Sequence, residues 1–170
     1  HAALDRLGLA LFERFGRVDV LIGAAASLGA ITPLGHMKPK TFDEVISLNV
    51  SANYRLIRAM DPLLRQSEAA RAVFLTCEAA GSATPFWAPY SASKAALEAM
   101  VRGYAAEMIN STVRANLYDP GPVRTALRAR AVPGEIPDTL PKPDAVVPAV
   151  LKLTDPSFVE TGQVFRGLDI

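Results

Sequence analysis

Cysteine is nearly missing from this chain. Cys77 is the only one in 170 residues, which excludes an internal disulfide framework and suits a reducing compartment. Charge of one sign is missing as well. Eighteen Lys and Arg stand against seventeen Asp and Glu, a formal net charge of +1, so nothing electrostatic points to nucleic acid or an anionic membrane as partner. No apolar run reaches the roughly 18 residues of a transmembrane helix, and no basic-then-apolar leader ends at a small-residue cleavage site. A soluble, cytoplasmic protein is the expectation. The two histidines, His1 and His36, have no companions at ligand spacing, so no metal site is expected.

What is present is globular composition. Half of the residues are apolar and 21% are charged, and the length suits one domain, residues 1–170, with a real core. The chain opens at His1 without an initiator methionine and runs straight into a helical stretch with no cap; further residues upstream are therefore expected.

Leu4, Leu7, Leu11 and Phe15 recur at spacings of three and four, which predicts an amphipathic helix over 2–15 stopped by Gly16. The β-branched run 18–22 predicts a strand buried on both faces. A long helix is expected over 40–67, with Thr41 as N-cap and Glu44 completing a capping box. A strand at 73–76, a helix over 88–110 and a strand at 113–118 follow. Residues 121–143 are proline-rich and predict a surface loop with a short helix near 125–130. A helix over 143–153 and a strand at 162–166 close the chain. Alternating buried strands and helices predict an α/β fold, a parallel sheet covered on both faces. In chain order the 18–22 strand has only one strand neighbour, leaving an apolar edge that needs cover.

The strongest chemical signal is Tyr90-Ser91-Ala92-Ser93-Lys94. Four residues put Tyr90 and Lys94 one helical turn apart on one face. There an ammonium would favour the phenolate and lower the tyrosine pKa, making a proton donor and acceptor of the kind hydride transfer needs. The bare spacing is equally that of an ordinary surface pair. Its place just after a buried strand, where ligands bind in parallel sheets, favours the functional role.

Together with Leu48-Asn49-Val50 and Pro120-Gly121-Pro122-Val123-Arg124-Thr125, this segment resembles the short-chain dehydrogenases/reductases, specifically a bacterial branch whose substrate the sequence does not name. The resemblance runs through nearly the whole chain. It implies the C-terminal two-thirds of a Rossmann-like fold, truncated on the side of its first three strands, and NAD or NADP as cofactor. It implies Tyr90 as general acid/base, Lys94 as its electrostatic tuner and a binder of the nicotinamide ribose, and Asn49 as a carboxamide that holds a helix open and positions a water. Pro120, Gly121, Val123 and Thr125 would contact the nicotinamide carboxamide and diphosphate, with Ala24 and Ala25 lining the cofactor cleft. The loop after Thr125 would close over substrate, stiffened here by Pro133, Pro137, Pro141 and Pro143. A homodimer or homotetramer through helices 40–67 and 88–110 is implied too. Ala99, Gly103 and Ala106 would permit that close approach, or would serve internal packing.

Three departures qualify the resemblance. Thirteen residues before Tyr90, where the family carries a substrate-binding serine, stands Cys77. It is either a weak stand-in or a small apolar residue at a strand end; Thr76 and Ser82 are the other hydroxyls in reach, and Thr76 should alternate to the far face of its strand. Gly23-Ala24-Ala25-Ala26 replaces an Asn-Asn-Ala-Gly segment. No Gly-x-x-x-Gly-x-Gly turn exists in these residues, so binding of the cofactor by this chain is in doubt. Two functions follow: an NAD(P)-dependent oxidoreductase acting on a small carbonyl or alcohol, or a non-catalytic relative that serves as an oligomer or interaction module. Trp87 and Phe86 would line the substrate pocket or cap the helix packing.

Overall fold

The computed structural model describes residues 2–82 and 84–170. Four strands, β1 (Val20–Gly23), β2 (Arg71–Leu75), β3 (Arg114–Asp119) and β4 (Val164–Arg166), form one parallel sheet in the order β1-β2-β3-β4. Helix α1 (Ala2–Phe15) precedes β1. Between β1 and β2 lie α2 (Pro39–Ile46), a π-helical stretch Ser47–Ser51 and α3 (Ala52–Leu64); α4 (Ala88–Glu107) joins β2 to β3. Helices α5 (Ala126–Ala131) and α6 (Val147–Leu153) lie between β3 and β4. The expected α/β architecture is the one observed.

The core is built on the face covered by α3 and α4. There Leu21, Phe74 and Leu117 of the sheet meet Met60, Leu97 and Val101 of the helices, all buried, each side chain contributing on the order of 1.5–3 kcal/mol. Ala72 and Ala115 are paired across β2 and β3 and fully buried; their small side chains let α4 lie close to the sheet. On the opposite face Val73 and Tyr118 pack against Ala149 and Leu153 of α6.

That opposite face is covered only in part. Val20 and Ile22 of β1 are 44% and 45% exposed, while Leu21 and Gly23 are buried. The expectation of a strand buried on both faces is corrected: α6 reaches β2, and β1 is the sheet's edge.

The helices differ from the periodic reading in two places. In α1 the buried residue is Gly8, whereas Leu7 and Phe15 are exposed. A Cβ at Gly8 would sit 2.9 Å from the Ala59 carbonyl oxygen; the missing side chain is what lets α1 pack against α3. Gly16, with φ +73°, ends the helix as expected. The predicted 40–67 helix runs unbroken from Pro39 to Leu64 but widens to a π-helix at Ser47–Ser51. It starts at Pro39 after Lys38, so Thr41 lies within the helix and the expected capping box does not form. Proline at the first position spends no hydrogen bond there, because that amide has no helical partner.

Candidate active site

Helix α4 starts above the C-terminal ends of β2 and β3 and carries Tyr90 and Lys94 inward, 6% and 3% exposed. Lys94 Nζ donates to the Leu75 carbonyl at 2.7 Å and lies 5.7 Å from the centroid of the Tyr90 ring. Trp87 stands edge-on to that ring, centroids 6.0 Å apart. Phe86 points out to solvent at positive φ, and its carbonyl accepts the Thr32 amide. Trp87 therefore belongs to the pocket and Phe86 does not.

A cavity of about 310 Å³ opens here. Of the predicted residues, Tyr90, Lys94, Cys77, Ala24, Pro120, Gly121, Val123 and Thr125 all line it. Ala25 does not; it faces a separate apolar groove with Leu4, Ile22 and Leu48, and Ala26 takes its place in the cavity. At the first position of that segment, a Cβ on Gly23 would fall 2.3 Å from the Phe74 ring. Phe74 occupies the space an asparagine side chain would need.

Asn49 lies behind the cavity wall. Its Oδ1 accepts the Ser27 amide at 2.8 Å, and its Nδ2 donates to the Ser27 carbonyl and to Ser93 Oγ, both at 2.9 Å. Ser93 Oγ in turn donates to the Tyr90 carbonyl at 2.7 Å. The helix is π-helical at this point, and the Asn49 carbonyl accepts Asn53 Nδ2. Both N–H groups of the carboxamide are committed to protein partners, so its main contribution is to tie the loop after β1 to α4 one residue short of Lys94.

Among the three groups considered for the substrate oxygen, Cys77 packs in the cluster that holds Tyr90. The Thr76 hydroxyl is spent on Glu98, which it meets at 2.8 Å, and Ser82 bonds Thr84 in an exposed loop. Burial pushes the Cys77 thiol up. Burial also raises the Tyr90 phenol above its ordinary value, helped by neighbouring Cys77 and Asp119. This corrects the expected lowering by lysine: the ammonium sits over the ring face, bonded to a carbonyl, and burial dominates. Lys94 itself is pushed down by burial.

Gly121, at φ +73°, makes the turn after β3, and its amide donates to Asp119 Oδ1 at 2.9 Å. Thr125 caps α5 by accepting the Arg128 amide. The proline-rich segment is held by ion pairs, Arg128 to Glu135 at 2.6 and 2.7 Å and Arg124 to Asp138 at 2.6 Å. Arg130 reaches across from α5 to the Gly29 carbonyl at 3.0 Å. Ser27, Ser93, Glu98 and Asp119 were not foreseen from sequence. Of these only Ser93, three residues from Tyr90 on the same helix, had a local signal.

Comparison with known proteins agrees with the fold. Residues 1–148 match the enoyl-(acyl carrier protein) reductase family. Over 162 residues the chain is 35% identical to the uncharacterized oxidoreductase YciK of Escherichia coli K12, covering 95% of this chain and 64% of that protein. A short chain dehydrogenase from Salmonella enterica serovar Typhi CT18 superposes with a TM-score of 0.94 at 32% identity, covering 98% of this chain and 69% of that one. One from Escherichia coli CFT073, solved as a complex with NADPH, gives 0.92 at 32% identity, with 98% and 69% covered. The chain belongs to the short-chain dehydrogenase/reductase family, whose members here are oxidoreductases of Rossmann-like fold. It spans 64% of the length of YciK. Among the described residues no helix is long and apolar enough to cross a membrane.

Proposed function

We propose that the protein carrying this chain transfers a hydride between NAD(P) and a carbonyl or alcohol, with Tyr90 as the proton donor. The observation that carries this is the convergence of Tyr90, Lys94 and Cys77 on one cavity whose far wall is the Pro120–Thr125 turn. The donor set suits the nicotinamide end of the cofactor. Lys94 spends one N–H on Leu75, and an ammonium has two more, enough for a pair of ribose hydroxyls. Gly121, with open space where a Cβ would stand, leaves room beside them. Ala24, Pro120, Val123 and Thr125 would complete that wall. The cavity is at the small end for a ligand pocket, and the sequence contains no glycine-rich turn for a diphosphate, so the fit extends to the nicotinamide half alone.

When bound, the nicotinamide supplies or accepts the hydride. Burial keeps the Tyr90 phenol protonated, the form that gives its proton to an oxygen turning from carbonyl to alkoxide. The Lys94 cation would offset part of the burial penalty on a Tyr90 phenolate without bringing the phenol below its ordinary value. Cys77 would orient the substrate oxygen through a thiol, a weaker donor than a hydroxyl. Asn49, through Ser93, holds the first turn of α4 in place.

Trp87 is the single tryptophan and reports on the cavity directly. NADPH or NADH should quench its emission, and Lys94→Met should abolish the quenching. In the whole protein Tyr90→Phe should lower carbonyl reduction at 340 nm by about a hundredfold or more. Cys77→Ser should raise turnover; an unchanged or lower rate would remove Cys77 from the substrate site. The thiol at position 77 also favours a second reading, a non-catalytic relative, which predicts no quenching by either dinucleotide. Association into a dimer or tetramer through α3 and α4 is supported by Ala99, Gly103 and Ala106, all exposed on α4. Light scattering that finds a monomer at micromolar concentration refutes it.

A further inference from the structure

A second chamber, about 370 Å³, adjoins the Tyr90 cavity. The two share Cys77, Trp87, Gly121, Pro122 and Arg128 as a common wall. Lys94, Ala24 and Thr125, offered above for the cofactor, line only the first; Glu78, Thr84 and Asp119 line only the second. A substrate whose carbonyl meets Tyr90 therefore has this chamber for the rest of its body.

Asp119 is the notable group there. It is 4% exposed, at the end of β3. Its Oδ1 accepts the Gly121 amide, and its Oδ2 takes no hydrogen bond from any described residue. Ser91 Oγ is the only sealed side-chain oxygen without a partner among the described residues, so Oδ2 is not sealed in and keeps contact with the chamber. Lys94 couples to it electrostatically at a distance, but neither nearby cation meets its open oxygen. Lys94 forms no ion pair with it, and Arg128 is occupied by Glu135 on both oxygens. A carboxylate oxygen that opens onto a chamber accepts from whatever donor enters it, and a charged acceptor makes the stronger hydrogen bond. Glu78, at the chamber's exposed side, adds charge of the same sign.

We propose that this chamber is a subsite for a hydrogen-bond donor on the substrate, a hydroxyl or ammonium close to the reacting carbon. The favoured substrates are hydroxy- and amino-ketones or aldehydes, and keto acids are excluded by like charge. The carbonyl chemistry rests on the oxidoreductase proposal; the donor recognition does not.

Product-like alcohols test the subsite without cofactor. The isotope-labelled chain is titrated with 1-amino-2-propanol, 1,2-propanediol, 2-propanol and lactate, following the backbone amides of Cys77, Asp119 and Gly121 by NMR. The amino alcohol should bind about tenfold more tightly than 2-propanol, the ratio of one charge-assisted hydrogen bond, with the diol between and lactate weakest. Asp119→Asn keeps an oxygen for the Gly121 amide and turns the open acceptor into a donor, so the order should collapse, with lactate gaining. Equal binding of all four alcohols by the unaltered chain, or an order unmoved by Asp119→Asn in a folded variant, overturns the proposal. Donor preference without NADPH quenching of Trp87 keeps the subsite and removes only the oxidoreductase reading.

Discussion

Replacing Asn49 by alanine should cost the chain about 3 kcal/mol. The side chain is fully buried and makes three hydrogen bonds, two to the Ser27 backbone and one to Ser93 Oγ. Each contributes roughly 1 kcal/mol net. Stranded partners would add to the loss, but Ser27 is only half-buried, so water can replace much of what it loses. Ser93 keeps its own bond to the Tyr90 carbonyl. For a chain of this length the melting temperature should fall by roughly 6–12 °C. Asn49→Asp preserves the acceptor for the Ser27 amide but points a second acceptor at Ser27 O and Ser93 Oγ, with a buried charge, so it should be at least as damaging. Urea unfolding followed by circular dichroism gives the free energies, and hydrogen exchange at the Ser27 amide gives the local effect. A loss below about 1 kcal/mol, or an unchanged Ser27 exchange rate, would refute the idea that this carboxamide holds the β1 loop against α4.

The remaining predictions concern titration and packing. The phenols of Tyr90 and Tyr104 are both raised, chiefly by burial, from an ordinary value of 10. Their contribution to stability is whole below pH 10 and is lost as pH rises beyond it, because the unfolded chain ionises first. A difference titration of tyrosinate absorbance between the unaltered chain and Tyr90→Phe should be flat below pH 10; a component there would mean that Lys94 does depress Tyr90. Gly8→Ala gains about 1 kcal/mol of helix propensity but forces a Cβ to within 2.9 Å of a backbone oxygen, an overpacking that costs about 1–3 kcal/mol. The net should be destabilising. Gly103→Ala, with nothing near its Cβ within the chain, should stabilise the fold by up to about 1 kcal/mol while weakening any close association through α4; stabilisation of the fold by both would mean that α1 does not approach α3 closely.

The sequence by itself determined what rests on short-range periodicity. The β2 and β3 strands, the span of α4 and the Tyr90–Lys94 spacing are local, because a run of apolar residues or a helical turn specifies its own geometry. The Pro-Gly turn and the Thr125 cap are local in the same sense. Tertiary structure decided everything that depends on a partner far along the chain. The π-helical widening at Ser47–Ser51 accompanies Asn49's bonds to Ser27 and Ser93, 22 and 44 residues away. Which face of α1 is buried was decided by the close approach at Ala59, so Gly8 went inside and Leu7 did not. Val20 and Ile22 are apolar yet exposed because no described element covers that side of β1. The direction of the Tyr90 shift was decided by burial and by Cys77 and Asp119, none of which the four-residue spacing contains. Asp119 reads in sequence as the start of a turn. Only the packing of β3 against α4 makes its second oxygen a lining group of the chamber that adjoins the Tyr90 cavity.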